Sequence, residues 1–273
     1  MRRSGRLCAQ IRDMLAAFIQ PGMTTADVDH HAARLIADAG AKSAFLGYRG
    51  YPGHLCISLN EEVVHGIGSP RRIIKIGDLV KLDVGIIYQG WLGDTAITLP
   101  IGPIPHDWQR LIQITEESLA RGIAEARDGS RVGQISHAIQ KYVESHGFSV
   151  VREFVGHGLG RQLHEEPQVP NFGRPKDGPR LKPGMVICIE PMVNMGGPNV
   201  KILSDKWTAV TVDGLPSAHV EHTVLITEGE PEILTNSAVV PHTQTAPAIP
   251  PAAENNSPVG AVTHVLSPAA RAL

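Results

Sequence analysis

The period of the hydrophobic pattern changes along the chain, and each change predicts an element. Residues 79–87 and 91–99 are apolar and rich in β-branched side chains on either side of Gln89-Gly90, which predicts an antiparallel hairpin. Near the start, Leu7, Ile11, Met14, Leu15 and Phe18 form one helical stripe that Gln20-Pro21-Gly22 stops. Gln10, Arg12 and Asp13 interrupt that stretch and argue against a secretion signal. No run approaches the roughly 18 apolar residues of a membrane span. From Thr235 onward, Ala, Pro, Ser, Thr and Val dominate without periodicity, which predicts a folded body over 1–234 and a flexible tail over 235–273.

The hairpin carries an aspartate in each apolar strand, Asp83 and Asp94. A two-residue turn puts them on one face, directly opposed or on the neighbouring diagonal. Opposed Cβ atoms lie about 5 Å apart, where like charges repel, so a cation is expected between them.

The chain also repeats itself. An offset of 107 residues places Gly22 on Gly129, Gly40 on Gly147, Lys75 on Lys182, Gly77 on Gly184 and Asp83 on Glu190. Each copy reads as a helix ended by glycine, followed by a Lys-x-Gly turn and an apolar strand that ends on a carboxylate, "KIGDLVKLD" and "KPGMVICIE". The pattern predicts two helix-helix-strand halves related by a pseudo-twofold, with the Asp83 and Glu190 strands together at the centre of a shared sheet. A further acid follows in each half, Asp94 and Glu221.

Four ionised carboxylates cannot share a desolvated site uncompensated, and divalent cations remove the cost. Oxygen ligands suit Mn, Fe(II), Co or Mg, and an imidazole moves the balance toward the transition metals. Candidate imidazoles are His157 and His164 in "EFVGHGLGRQLHEEP", whose glycines permit a tight loop, and His65, which ends a strand-like run before a glycine. The formal net charge of -2 does not fit a dedicated nucleic-acid binder. Three cysteines without C-x-x-C spacing indicate neither a disulfide framework nor a zinc knuckle, and a reducing compartment is expected.

In order and spacing, "GYRGYPGHLCISLNEEVVHGI", "DVGIIYQGWLGDTA", "GHGLGRQLHEEP", "IEPM" and "VEHT" resemble the motifs of type I methionine aminopeptidases over roughly residues 2–231. The resemblance implies an α+β pita-bread fold, two duplicated halves around a central antiparallel sheet. It implies a cytoplasmic, monomeric metallo-exopeptidase that removes the N-terminal methionine of nascent proteins whose second residue is small. By that match two divalent ions (Co, Mn, Fe(II) or Zn) are held by Asp83 on one, His157 and Glu190 on the other, with Asp94 and Glu221 bridging. Glu190 is the implied proton shuttle, and His65 and His164 contact substrate and assist catalysis. Tyr48, Tyr51, Cys56, Leu163 and Trp207 line the implied methionine pocket. Phe45 joins them where many bacterial relatives have cysteine, and Leu163 stands where several have phenylalanine. Asn60 and Ser217 match positions that bind a monovalent cation in some relatives.

Three other readings are weighed against this one. Proline-specific aminopeptidases of the same fold carry a large preceding domain, whereas here the fold is expected to begin at residue 2. Type II relatives insert a helical block between the positions of His157 and Glu190, here only 33 residues apart. A pseudoenzyme that binds peptides or proteins is the alternative from another class, although every expected ligand is present. The basic loops "SPRRIIKIG" and "GRPKDGPRLKPG" are read as solvated, with contact to ribosomal RNA as the alternative. The first helix lacks a polar cap, so the true start could lie upstream. Arg2 is too large a second residue for Met1 to be removed.

Overall fold

The computed structural model describes residues 1–236, so the expected tail lies outside the described residues except for its first two. Thr235 belongs to the packed body: it is fully buried, and its Oγ1 accepts the Thr223 N–H at 3.1 Å.

The first half contains α1 (Arg2–Phe18), α2 (Thr25–Asp38), β1 (Lys42–Ser43), β2 (Cys56–Leu59), β3 (Glu62–Val64), β4 (Leu79–Tyr88) and β5 (Trp91–Pro100). The second half contains α3 (His106–Ala124), α4 (Val132–Ser145), β6 (Ser149–Val150), β7 (Gly156–Gly158), β8 (Glu165–Val169) and β9 (Val186–Ile189). It continues with β10 (Met192–Asn194), β11 (Val200–Ile202), β12 (Ala209–Thr211), β13 (Ser217–His219), β14 (Glu221–Leu225) and β15 (Glu232–Ile233).

The repeat survives in atomic detail. Helices α2 and α4 begin and end at the same offset of 107, and the bridge Thr24↔Ile73 recurs as Arg131↔Arg180. The Gly22 N–H bonds Ile74 O at 2.8 Å, as Gly129 N–H bonds Leu181 O at 3.1 Å. Gly77 and Gly184 turn the chain into β4 and β9 at φ 94° and 89°, a left-handed backbone that favours glycine.

The strand order of the main sheet runs β1-β4-β5-β14-β9-β7-β8, with β2 paired to β4 and β15 to β14 beside this path. The strands of Asp83 and Glu190 therefore do not meet at the centre, contrary to the expectation from the repeat. The hairpin already gives β4 its partner, so the halves join through β5 and β14, with Glu221 opposite Ala96.

Alternation along β4 separates two environments. Val80, Leu82, Val84 and Ile86 are fully buried against α1 and α2, while Lys81, Asp83 and Gly85 point to the other face. In the second half Ile187 and Ile189 pack with α3 and α4, leaving Cys188 and Glu190 on the face shared with Asp83.

Helix α1 is rotated from the expected stripe: Met14 is 45% exposed, whereas Arg12 is 6% exposed. Arg12 is tolerated inside because its Nη1 donates to Thr95 Oγ1 at 2.7 Å and its Nε and Nη2 to Asp13 Oδ1 at 2.9 and 2.8 Å. The α1 N-terminus has no side-chain cap, as expected.

Candidate metal centre and substrate pocket

The site follows from strand register. Asp83 lies opposite Ala96, which faces Glu221 on its other side, and Glu190 sits one residue beyond the Ile189↔His222 pair that aligns β9 with β14. Asp83, Ala96, Glu221 and Glu190 thus form one row across four strands. One pleat away, Asp94 lies opposite Gly85, the diagonal one of the two placements expected for the aspartates. Thr223 Oγ1 donates to Asp94 O at 2.7 Å, and Cys188 lies opposite Thr223. His157 extends this second row from β7, whose Gly158 lies opposite Ile187. All these side chains share one face.

Ligating atoms of Asp94, His157, Cys188 and Glu221 lie within 4.8 Å of one another. Glu190 joins through His157, Oε1 to Nε2 3.5 Å, and Asp83 lies on the same face, diagonal to Asp94 across the β4–β5 pair. His157 Nε2 is also 4.0 Å from Asp94 Oδ2. Burial raises the Asp83 carboxyl to about 7, and burial followed by mutual repulsion raises Asp94, Glu190 and Glu221 well above the usual carboxylate range. Asp83 Oδ1, Asp94 Oδ1 and Glu221 Oε1 are buried without a hydrogen-bond partner. Orphaned carboxylate oxygens converging beside an imidazole fit divalent cations.

His157 is prepared as a ligand. Nδ1 donates to Gly158 O at 2.9 Å, which turns the Nε2 lone pair toward the acids, and burial lowers its pKa to about 4, keeping the ring neutral. Glycine on both sides is required by close packing, not by a turn. A Cβ at Gly156 would strike Cys188 O, and one at Gly158 would strike Glu166 O.

The pocket residues also come together. Phe45, Tyr51, Cys56 and Leu163 are buried in one apolar cluster, against which Tyr48 and Trp207 pack. The Tyr51 and Trp207 rings meet edge-on at 5.1 Å, and the Phe45 ring lies over Gly85, beside the carboxylate rows. Tyr48 Oη is 2.7 Å from His164 Nδ1. With that hydroxyl donating, the exposed His164 carries its proton on Nε2. Its ring is 4.3 Å from that of His157. His65 takes a left-handed φ of 61° and sits edge-on to Phe154 and Trp207, its pKa lowered to about 4 by burial.

Sequence reasoning missed three residues of this face. Cys188 is fully buried within the ligand group, and its position two before Glu190 on a strand was the available signal. His219 Nε2 is 3.8 Å from Glu190 Oε2 and otherwise unpartnered, its pKa lowered to about 3 by burial. It stands two residues before Glu221. The third is Lys81, whose Nζ donates to Asn60 O at 2.7 Å and Ser217 O at 3.0 Å, the residues expected beside a monovalent cation. The carbonyls are already occupied, so the site does not fit such an ion.

The raised carboxylates define a pH dependence. In metal-free protein their folded pKa values exceed the unfolded ones, so the folded state binds more protons and stability falls as pH rises from about 4 toward 7, where Asp83 titrates. Mn²⁺ or Co²⁺ added near pH 7 is expected to raise Tm and to release protons. Calorimetry in buffers of different ionisation heat measures that release. Binding without proton release would contradict the assignment of these carboxylates to the ions.

The sequence matches the model of metallopeptidase family M24 over residues 1–228. It is 52% identical to methionine aminopeptidase 1 of Bacillus subtilis over 235 residues, covering 86% of this chain and 94% of that protein. Identity to the methionine aminopeptidase of Escherichia coli K12 is 43% over 236 residues, 86% of this chain and 89% of that one. The crystal structure of methionine aminopeptidase from Thermotoga maritima superposes with a TM-score of 0.85 at 45% identity, covering 86% of this chain and 95% of that one. A prolidase from Pyrococcus horikoshii aligns at TM-score 0.69 and 22% identity over 60% of its length, a likeness of fold alone. The chain belongs to metallopeptidase family M24, hydrolases of the pita-bread fold. Within that family, the recognition of a type I methionine aminopeptidase from the sequence motifs is borne out.

Proposed function

We propose that this chain removes the N-terminal methionine from nascent polypeptides and peptides whose second residue is small, using divalent ions held by Asp83, Asp94, His157, Glu190 and Glu221. The observation that carries the reading is the juxtaposition of two structures on one sheet face: the orphaned carboxylates around His157, and the apolar cluster of Phe45, Tyr51, Cys56 and Leu163. Bound divalent ions supply an acidified water and Lewis-acid polarisation of the scissile carbonyl. Glu190 takes the proton of the attacking water and returns it to the leaving amine. His164, with its proton on Nε2, and His65 donate hydrogen bonds to the tetrahedral intermediate and to the peptide beyond the cut bond. A flexible thioether suits the aromatic lining from Tyr51 and Trp207, because sulfur contacts ring edges favourably. The second residue of the substrate enters between His65 and the carboxylate rows, which leaves room for small side chains only. Every residue named for the site lies within 1–234, and the segment after Thr235 is read as taking no part in catalysis. Localisation in the cytoplasm, where nascent chains emerge, agrees with this substrate, and no described helix is long and apolar enough to cross a membrane.

Chelation followed by metal add-back tests the proposal on Met-Ala-Ser. Free methionine should appear only after add-back, and kcat/KM for Met-Arg-Ser should be lower by about a hundredfold or more, a discrimination of about 3 kcal/mol. Comparable values for the two peptides would sink the rule of the small second residue. Metal binding without methionine release would favour the reading as a peptide-binding module.

A further inference from the structure

Lys81 is 1% exposed, among the most buried large side chains of the described residues. It shares the face of Asp83 one pleat further along β4, opposite Thr98, whose Oγ1 donates to His219 O at 2.7 Å. Nζ ends between two main-chain carbonyls, Asn60 O at 2.7 Å and Ser217 O at 3.0 Å. Among the described residues no carboxylate forms an ion pair with it. Burial lowers its pKa to about 7, while at longer range Glu62, Glu61 and Asp78 favour the charged form and Arg72 opposes it.

The two carbonyls are held for this contact. Asn60 adopts a left-handed φ of 48°, locked by its own side chain: Nδ2 donates to Asp78 Oδ1 at 2.9 Å and Oδ1 accepts the Leu79 N–H at 2.9 Å. The Ser217 N–H donates to Asn60 O at 3.0 Å, and Ser217 Oγ donates to Val193 O at 3.0 Å. The ammonium therefore joins β4 to the β2–β3 turn, which leads to His65, and to β13, which leads to Glu221. An ion coordinated by the same two oxygens would occupy the volume of Nζ itself and meet a like charge there.

We propose that Lys81 is a built-in cation standing where the family resemblance implied a monovalent ion, so that this chain needs neither sodium nor potassium to hold its site together. The side chain delivers its charge covalently, and the junction of β4, the β2–β3 turn and β13 is complete at any salt composition.

Thermal stability reads this independently of peptidase activity. The full chain, loaded with Mn²⁺, is compared in NaCl, KCl and choline chloride at equal ionic strength. The unmodified protein is expected to show the same Tm in all three, within about 1 °C, and the same initial rate on Met-Ala-Ser. Lys81→Ser, which removes the ammonium and opens its volume, should melt about 5–10 °C lower in choline chloride. It should regain a large part of that loss in NaCl or KCl. Lys81→Met, which fills the volume without charge, should gain nothing from either salt. A higher Tm or rate of the unmodified protein in sodium or potassium overturns the proposal, as does a Lys81→Ser variant indifferent to the three salts. Should Lys81→Ser fail to fold, crystals of the unmodified protein soaked in rubidium decide: no anomalous peak between Asn60 O and Ser217 O supports the built-in cation, and a peak there refutes it.

Discussion

Asp94→Asn should abolish turnover of Met-Ala-Ser and lower the metal content of the purified protein, while the metal-free variant stays folded and melts no lower than the metal-free parent. The expectation rests on where Asp94 sits. It is 4% exposed, its Oδ1 has no hydrogen-bond partner, and it lies in the same ligand group as His157 and Glu221. An amide offers one weaker acceptor in place of two charged oxygens, and its NH₂ donates to a neighbouring carboxylate, supplying internally part of the compensation a cation would bring. Removing one of four mutually repelling charges also relieves the metal-free cluster, which is why no loss of Tm is expected. Losing several kcal/mol of electrophilic stabilisation corresponds to a fall in kcat of about a thousandfold or more. Elemental analysis and steady-state rates measure both effects. Full activity with undiminished metal would remove Asp94 from the centre.

The carboxylate-bearing face of the sheet was legible because strand periodicity and charge conflict there. An aspartate in an apolar strand is conspicuous, and the odd spacing of Asp83 and Asp94 was enough to predict one face, while the choice between an opposed and a diagonal placement came from the register. The repeat was legible for a related reason: Gly77 and Gly184 hold left-handed turns and Lys75 and Lys182 precede them, so backbone geometry left the same marks twice. What periodicity cannot carry is which strands from distant halves become neighbours. The order β4-β5-β14-β9 depends on hairpin closure and on the helices covering the back of the sheet, and the repeat by itself suggested a direct β4–β9 pair.

The residues left without a predicted role share a physical cause. Arg12 entered the sequence reading only as a break in an apolar run, because a charged side chain seldom lies inside, and the Thr95 hydroxyl and its neighbour Asp13 make its burial acceptable. Lys81 had no role assigned from the sequence, since nothing in the local sequence announces two carbonyls gathered from 21 and 136 positions away. Cys188 was read only as one of three cysteines without metal-binding spacing. Only the register of β9 against β14 reveals its place beside Thr223 and among the ligands.

Glu190→Gln is expected to separate proton transfer from metal retention. Glu190 lies just past the end of β9, its backbone oxygen fixed by Asn171 Nδ2 at 3.0 Å, so a substitution that keeps the shape of the side chain leaves the strand in place. Its two oxygens are spread between different partners, Oε1 3.5 Å from His157 Nε2 and Oε2 3.8 Å from His219 Nε2. Its side chain is 13% exposed against 5% for that of Asp94, so it is the more open of the two, as the proposed role in proton transfer requires. The amide of the variant would retain an acceptor oxygen but could not carry a proton from nucleophile to leaving group. The kcat for Met-Ala-Ser should fall by about 10²–10⁴-fold with little change in KM, the pattern of an interaction made only in the transition state. The acid limb of the kcat profile, along which a base must lose its proton, should flatten. Asp94→Asn should lose metal in parallel with activity, whereas Glu190→Gln should lose activity with most of the metal still bound. Unchanged kcat, or an acid limb like that of the parent, would place the shuttle on another group. His219, neutral and 3.8 Å from the same carboxylate, is then the first residue to examine.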